Sequence, residues 1–323
     1  MTGDAQGHYA IHNDAGFILV SGTDAVDFLQ SLLTANIETL AVGACRPAAL
    51  LTPQGRVLID MMIYRQTDTH IYLQTDIARR DDLFARLRRY RLRRPVDLAV
   101  APDISLTLWW GFAENNILSD ITLGGSGIFR DPRHACLGYR ILASGGSLPS
   151  ALDGAHPAPI DAWHARRIAA AIPEGPRDLV PERALMLEAG LDKLGAVDFG
   201  KGCYIGQEVT ARTFYRGLVK RRLVPIHIAG APPAPGSDIL WQDKIVGSSK
   251  TAAPHPDDPQ RSVTLGLLKL DDIEAIVAAD PHDGAASKPD AAESYGDDLR
   301  INDWAATIVL PAWMLPLPKP QKP

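Results

Sequence analysis

Cysteine is scarce in this chain. Only Cys45, Cys136 and Cys203 carry thiols among 323 residues, and no two of them form a Cys-x-x-Cys pair. A disulfide framework and a self-contained zinc or iron–sulfur site are excluded by that count and spacing. Long apolar runs are also missing. The longest stretches, such as 17–20 and 168–172, fall far short of the roughly 18 residues of a membrane-spanning helix, so no span and no membrane partner is expected. Neither sign of charge dominates: 33 Lys+Arg against 38 Asp+Glu leave a net −5, which excludes whole-surface attraction to polyanions. The first fourteen residues carry Asp4, His8, His12 and Asp14 without a basic start leading into an apolar core. No cleaved leader is therefore expected, and the reading places the protein in the cytoplasm. Phosphate-loop, His-Glu-x-x-His and Gly-x-Ser-x-Gly motifs are absent, and Gly124-Gly125-Ser126-Gly127 lacks the third glycine of a dinucleotide loop.

What remains is an ordinary globular composition, 46% hydrophobic and 22% charged, with a length suited to about two domains. Residues 15–20 read as a strand, and Gly22-Thr23-Asp24 then leads a helix with Ala25, Phe28, Leu29, Leu32 and Leu33 on one face. Residues 48–51 and 57–64 around the turn Thr52-Pro53-Gln54-Gly55 predict a β-hairpin, with a further strand over 71–74 and a helix over 76–90. Short strands follow at 96–100 and 106–110. A Gly/Ser/Ala/Pro-rich surface loop is expected over 144–159, ahead of a helix over 160–171 with Asp161 as its N-cap. After residue 217 short apolar segments at 223–228, 239–241, 244–248, 263–270 and 305–310, separated by Pro/Gly turns, predict a small β-barrel. The polar stretches 254–260 and 280–298 read as exposed loops. The fold class expected is α+β: an α+β domain over 8–216, a C-terminal β-barrel over 217–313, and a disordered tail over 314–323.

Chemistry concentrates in Lys201-Gly202-Cys203-Tyr204-Ile205-Gly206-Gln207-Glu208-Val209-Thr210-Ala211-Arg212. Gly202 and Gly206 allow a tight turn or close approach to a ligand. Lys201 and Arg212 flank the thiol of Cys203 and would favour its thiolate, as would a helix starting near Gly206. The same residues also suit a plain glycine-rich turn with a buried cysteine. Cys45, beside Arg46, is a weaker competitor, and Cys136 reads as a small core residue.

These twelve residues resemble the signature of the YgfZ family of folate-binding proteins, relatives of the glycine cleavage T-protein (aminomethyltransferase). Gly22-Thr23-Asp24-Ala25, Phe28-Leu29-Gln30, Leu33-Thr34, Thr52-Pro53-Gln54-Gly55-Arg56 and 308–311 with Trp313 extend the resemblance over most of the chain. It implies a T-protein-like folate-binding domain of two intertwined α+β subdomains followed by a β-barrel. It implies tetrahydrofolate as cofactor, and iron–sulfur client or assembly proteins, tRNA-modifying enzymes among them, as partners. The site residues it implies are Asp60, Trp163 and Glu188 with Lys201, Tyr204, Gln207, Glu208 and Arg212 of the motif around the folate. Cys203 would be the reactive group. Trp163 would stack on the pterin or aminobenzoyl ring, or be a core aromatic. Asp60 would bind or act as a base in the T-protein manner, or face outward from its strand. No resident metal is implied.

One departure weakens aminomethyl transfer: where T-proteins read Arg-x-Glu-x-Gly, this chain reads Arg167-Ile168-Ala169-Ala170-Ala171. A folate-dependent transferase using Asp60 is the alternative function. The arginine run from Arg79 to Arg94 is a local positive patch suited to a folate polyglutamate tail, RNA or an acidic partner, or to a solvated helix face.

Overall fold

A computed structural model describes residues 7–111, 127–145, 152–279 and 293–318. Gly124, Gly125 and Ser126, parts of the loops expected over 144–159 and 280–298, and tail residues 319–323 lie outside the described residues. Within them the chain divides into two compact units: one runs up to Trp163 and takes in Leu194–Gln207, the other comprises His164–Lys193 and everything from Glu208 onward.

The first unit contains β1 (His8–Ile11), β2 (Ala15–Ser21), α1 (Ala25–Gln30), β3 (Cys45–Leu51), β4 (Val57–Arg65), β5 (His70–Asp76), α2 (Ile77–Arg91), β6 (Asp97–Val100), β7 (Ile104–Trp110), β8 (Gly127–Arg130), β9 (Tyr139–Ser144) and β10 (His156–Pro157). Five of these strands pair antiparallel in the order β3-β4-β5-β2-β6, and a second sheet runs β10-β1-β7-β9-β8. Successive side chains of a strand point to opposite faces. On β4, Ile59, Met61 and Ile63 therefore join Ile18, Val20, Ile71 and Leu73 beneath the helices, where Phe28, Leu29, Leu83 and Leu87 close the core. Helix α2 starts where the Asp76 carboxylate accepts from the Ala78 amide at 2.9 Å, and buries Leu83 and Leu87 one turn apart. Each such side chain contributes about 1.5–3 kcal/mol by leaving water. The opposite face of β4 carries Asp60, Met62 and Tyr64. It is covered as well: Arg140 of β9 and Phe129 of β8 reach Tyr64.

Helix α3 (Ile160–Ala169) begins one residue before Asp161, so Asp161 lies in the first turn and is not the N-cap that its residue type suggested. The short α4 (Gly175–Asp178) follows, and α5 (Gln207–Tyr215) opens directly out of the cysteine motif.

The second unit is built on β11 (Arg221–Ile228), β12 (Asp238–Trp241), β13 (Lys244–His255), β14 (Asp258–Lys269), α6 (Leu270–Ala279), β15 (Glu293–Tyr295), β16 (Leu299–Ile301) and β17 (Trp304–Leu310). The order β11-β14-β13-β12-β16-β17 closes through β11–β17 pairing into a six-stranded barrel, with β15 also on β17. Val224, Ile226, Ile239, Leu265, Ile301 and Ile308 are buried in it. Two expectations are corrected here. Residues 254–260 are not a loop: β13 and β14 run through them, with His255 paired to Asp258. Residues 270–279 form a helix whose buried Leu270, Ile273 and Ile276 recur at helical spacing, where the sequence had suggested only the end of a strand. The stretch expected as a tail is held at its start, since Met314 is buried and Lys193 donates to the Met314 and Pro316 carbonyls at 2.9 Å.

Candidate functional site

In the first unit, three sequence-distant motifs converge on the cysteine loop. Thr34 is fully buried. Its hydroxyl donates to the Ala196 carbonyl at 2.6 Å and accepts from the Ala49 amide at 2.9 Å, and its own carbonyl accepts from the Asp198 amide at 3.0 Å. Asn36 donates to one Asp198 carboxylate oxygen at 3.0 Å, while the other accepts from the Gly200 and Lys201 amides at 2.7 and 3.2 Å. Burial pushes the Asp198 carboxyl up, but the hydrogen bonds from Asn36 and the two amides outweigh it and hold the group below its ordinary value.

Lys201 then turns inward. Its ammonium donates to the Leu33 and Ala35 carbonyls at 2.6 and 2.7 Å and lies 5.2 Å from the centroid of the Tyr204 ring. Burial lowers its pKa to about 8 despite the carboxylates of Asp198 and Glu38. This corrects the expectation that Lys201 serves the thiol: its charge is committed to carbonyls of the core. Tyr204 is buried beside it, with a phenol that burial, aided by the Asp198 charge, pushes up to about 12. Gly206 adopts φ +81°, and a Cβ there would stand 2.5 Å from the Thr52 carbonyl oxygen on the β3–β4 turn, so no other residue fits without displacement. Between these anchors Gly202 and Cys203 are exposed, and nothing lies within 4 Å of a Cβ placed on Gly202. The loop is a rigid mount that holds one thiol toward solvent. Gln207, half-buried, donates its backbone amide to the Tyr204 carbonyl at 3.3 Å as α5 begins.

Cys45 is the reverse case. It is buried on β3, donates to the Arg130 carbonyl at 3.2 Å, and is pushed up to about 12 by burial and by the Asp131 charge, against Arg140 and Arg133. Cys136, read as a core residue, is half-exposed in a short turn.

Behind β4 sits a polar network that sequence reasoning missed. Asp131 pairs with Arg133 at 2.7 Å and Arg140 at 2.9 Å, and Arg140 also donates to the Tyr64 hydroxyl at 2.6 Å and the Gln74 amide oxygen at 2.8 Å. Burial raises the Asp131 carboxyl, but the two guanidiniums prevail and it stays ionised. The available signal was an arginine in the otherwise apolar strand Tyr139-Arg140-Ile141-Leu142. Trp163 belongs to this network: it is 0% exposed, with the Arg133 and Arg140 guanidiniums each 5.8 Å from its ring centroid and His12 edge-on at 6.3 Å. The enclosed indole offers no open face for a ligand to stack on. Asp60 is half-buried on the Tyr64 side of β4, its backbone carbonyl accepting from the Thr75 hydroxyl at 2.9 Å.

Glu188, Glu208 and Arg212 belong to the second unit. Glu188 lines a cleft of about 270 Å³ with Arg183, Arg221 and Lys250 and an apolar floor that includes Leu223 and Leu267. The loop carrying it is pinned from inside: Arg222, fully buried, donates to the Leu187 carbonyl at 2.7 Å, and the Leu223 amide donates to the Glu188 carbonyl at 2.8 Å. Gly190 sits at φ +74° with a hypothetical Cβ 3.0 Å from Arg222, which makes glycine necessary there. Arg167, at the position of the T-protein departure, is a structural cation locked onto Asp178 at 2.6 Å. Glu208 and Arg212 are exposed on α5. Of the arginine run, Arg79, Arg80 and Arg86 are tied to Asp82, Asp81 and Asp82 in turn, which leaves a smaller patch than the sequence suggested.

Residues 12–108 match the GCVT N-terminal domain family and residues 220–316 the CAF17 C-terminal β-barrel domain family. Human iron–sulfur cluster assembly factor IBA57, mitochondrial, is 31% identical over 300 residues, which cover 84% of this chain and 81% of that protein. The chain belongs to the IBA57 family. The mouse protein is 32% identical over 239 residues, 68% of this chain and 66% of its own length. The Pyricularia oryzae homologue is 35% identical over 212 residues, 64% of this chain and 54% of its own length, so the chain spans little more than half of that fungal relative. The aminomethyltransferase T of the Bartonella henselae glycine cleavage system shares the fold, with a TM-score of 0.70 at 17% identity over 96% of this chain and 87% of its own. The T-protein-like α+β fold with a C-terminal barrel is thus established. The expected cytoplasmic location is corrected: the family members matched are named as mitochondrial proteins. No helix among the described residues is long and apolar enough to cross a membrane.

Proposed function

We propose that this protein supports iron–sulfur cluster assembly or repair in client enzymes, tRNA-modifying ones included, with Cys203 as its cluster-handling group and a reduced folate as its cofactor. The observation that carries the reading is the mount of Cys203: a solvent-facing thiol on a loop fixed by Lys201, Tyr204, Gly206 and Asp198. Clusters commonly take four thiolates, and Cys203 supplies one, so the remaining ligands come from a partner iron–sulfur protein. Order in the loop lowers the entropic cost of presenting that ligand.

The Glu188 cleft fits part of a folate. Its volume is slightly below the roughly 300–1,000 Å³ of sites that enclose a whole drug-sized ligand, which suits a pterin whose tail leaves over the rim. A tetrahydrofolate bound there would supply a reduced pterin. Glu188 would accept from pterin N–H groups, and Arg221 and Lys250 would face the glutamate carboxylates. Trp163 acts indirectly in this account, by ordering Arg133 and Arg140.

The test is binding of 5-formyltetrahydrofolate to the wild type and to Glu188→Gln, alongside release of methylenetetrahydrofolate from an aminomethyl donor. The reading expects saturable binding, weakened at least tenfold by the substitution, and no turnover. Binding indifferent to Glu188 removes the cleft from the account, and turnover would establish the transferase using Asp60.

A further inference from the structure

The last turn of α5 and the residues after it carry large apolar side chains that are exposed to solvent. Phe214, Tyr215 and Leu218 are 44%, 68% and 46% exposed, and the two rings pack edge to face at 5.3 Å. The backbone imposes this. Gly217 at φ +58° ends the helix in a left-handed turn in which the Leu218 amide bonds back to the Thr213 carbonyl at 2.9 Å. Arg212, Arg216 and Lys220 stand exposed among these residues, and none has an ion-pair partner among the described residues.

A single exposed apolar side chain is ordinary. Three exposed apolar side chains within five positions, interleaved with three exposed cations that form no ion pair among the described residues, on a chain of net −5, make a local surface of the composition that anchors protein interfaces, where tyrosine and arginine are enriched among the residues that matter most for binding. We infer that the Phe214–Lys220 face docks an acidic protein surface, that of the iron–sulfur protein which shares a cluster with Cys203. The partner's identity rests on the proposed function; the charge of its surface rests on the cations alone. RNA suits this face less well. Single strands need flat aromatic platforms, whereas Phe214 and Tyr215 pack against each other and Leu218 has no stacking face.

The experiment uses the full chain in cells lacking the endogenous protein, with the photo-crosslinker p-benzoylphenylalanine in place of Tyr215 or, as control, of exposed Trp304 on the barrel. The expected result is an adduct from position 215, absent from 304, with an iron–sulfur protein of acidic surface. Arg216→Glu with Lys220→Glu should lower that adduct and the rescue of iron–sulfur enzyme activity at least tenfold, with the melting temperature and folate affinity unchanged. Tyr215→Ser should lower rescue and Tyr215→Phe should keep it. Adduct and rescue unchanged on charge reversal would overturn the inference, as would an adduct removed by ribonuclease. A charge-sensitive adduct with an acidic protein, in cells where even the wild type restores no iron–sulfur enzyme, would uphold the surface and overturn the proposed function.

Discussion

Replacing Lys201 with methionine separates two opposing effects that the structure assigns to one side chain. The ammonium satisfies two buried carbonyls, those of Leu33 and Ala35, and leaving each unpaired costs about 1–3 kcal/mol. Against this, holding the charge in the core lowers its pKa from 10.5 to about 8, a penalty on the order of 3 kcal/mol at neutral pH that methionine escapes. The net change at pH 7 is therefore small, and the pH dependence carries the information. Below pH 8 both folded and unfolded states hold the proton and the penalty is fully present. Between pH 8 and 10.5 the folded state has released it while the unfolded state keeps it, so the unfolded state binds more protons and the Lys201 contribution to stability rises with pH. The neutral amine still has two N–H groups for the two carbonyls. The stability difference between wild type and Lys201→Met, from urea unfolding at pH 7, 8 and 9, should shift by about 1 kcal/mol in favour of the wild type over that range. A difference constant from pH 7 to 9 would refute the buried ammonium and with it the account of how the loop is fixed.

Three further outcomes follow from the same geometry. With its pKa near 12, Cys45 is about one part in ten thousand thiolate at pH 8, against about one in ten for a thiol at 9.0, so iodoacetamide should label it at least about a thousandfold more slowly than an ordinary thiol, and slower than Cys203; equal labelling by peptide mass spectrometry contradicts the burial of Cys45. Arg140→Met removes one partner of buried Asp131 together with the donors to Tyr64 and Gln74, and should destabilise the fold by about 3–5 kcal/mol in urea; a loss under 1 kcal/mol would show the network to be wet. Gly206→Ala forces a Cβ against the Thr52 carbonyl in a left-handed backbone, costing about 1–3 kcal/mol and loosening the loop in hydrogen exchange of residues 200–207; unchanged protection would contradict the docking.

Much of this was legible in the sequence. The strands and helices of residues 15–110 follow from alternation and from the helical spacing of Leu83 and Leu87, because those elements bury one face each against local neighbours. Errors arose where long-range partners decide. The direction of Lys201 is set by Leu33 and Ala35, more than 160 residues away, so charge next to a thiol was read as charge for the thiol. Trp163 is enclosed by Arg133 and Arg140, and no pattern around the tryptophan reveals them. Residues 254–260 read as a loop because the barrel hairpin shows polar side chains to solvent at its tip, where Asp257 and Asp258 stand. Glu188 was identified through resemblance, whereas the cations that share its cleft come from three separate segments.

The most direct measurement of the central claim compares single substitutions of the three thiols, Cys203→Ser, Cys45→Ser and Cys136→Ser, for restoring iron–sulfur enzyme activity in cells lacking the endogenous protein, with the abundance and melting temperature of each variant recorded alongside. The account predicts that Cys203→Ser is folded, binds folate like the wild type and restores no activity, while Cys136→Ser restores it fully and Cys45→Ser fails only so far as it loses stability. Full restoration by a stable Cys203→Ser variant would contradict it.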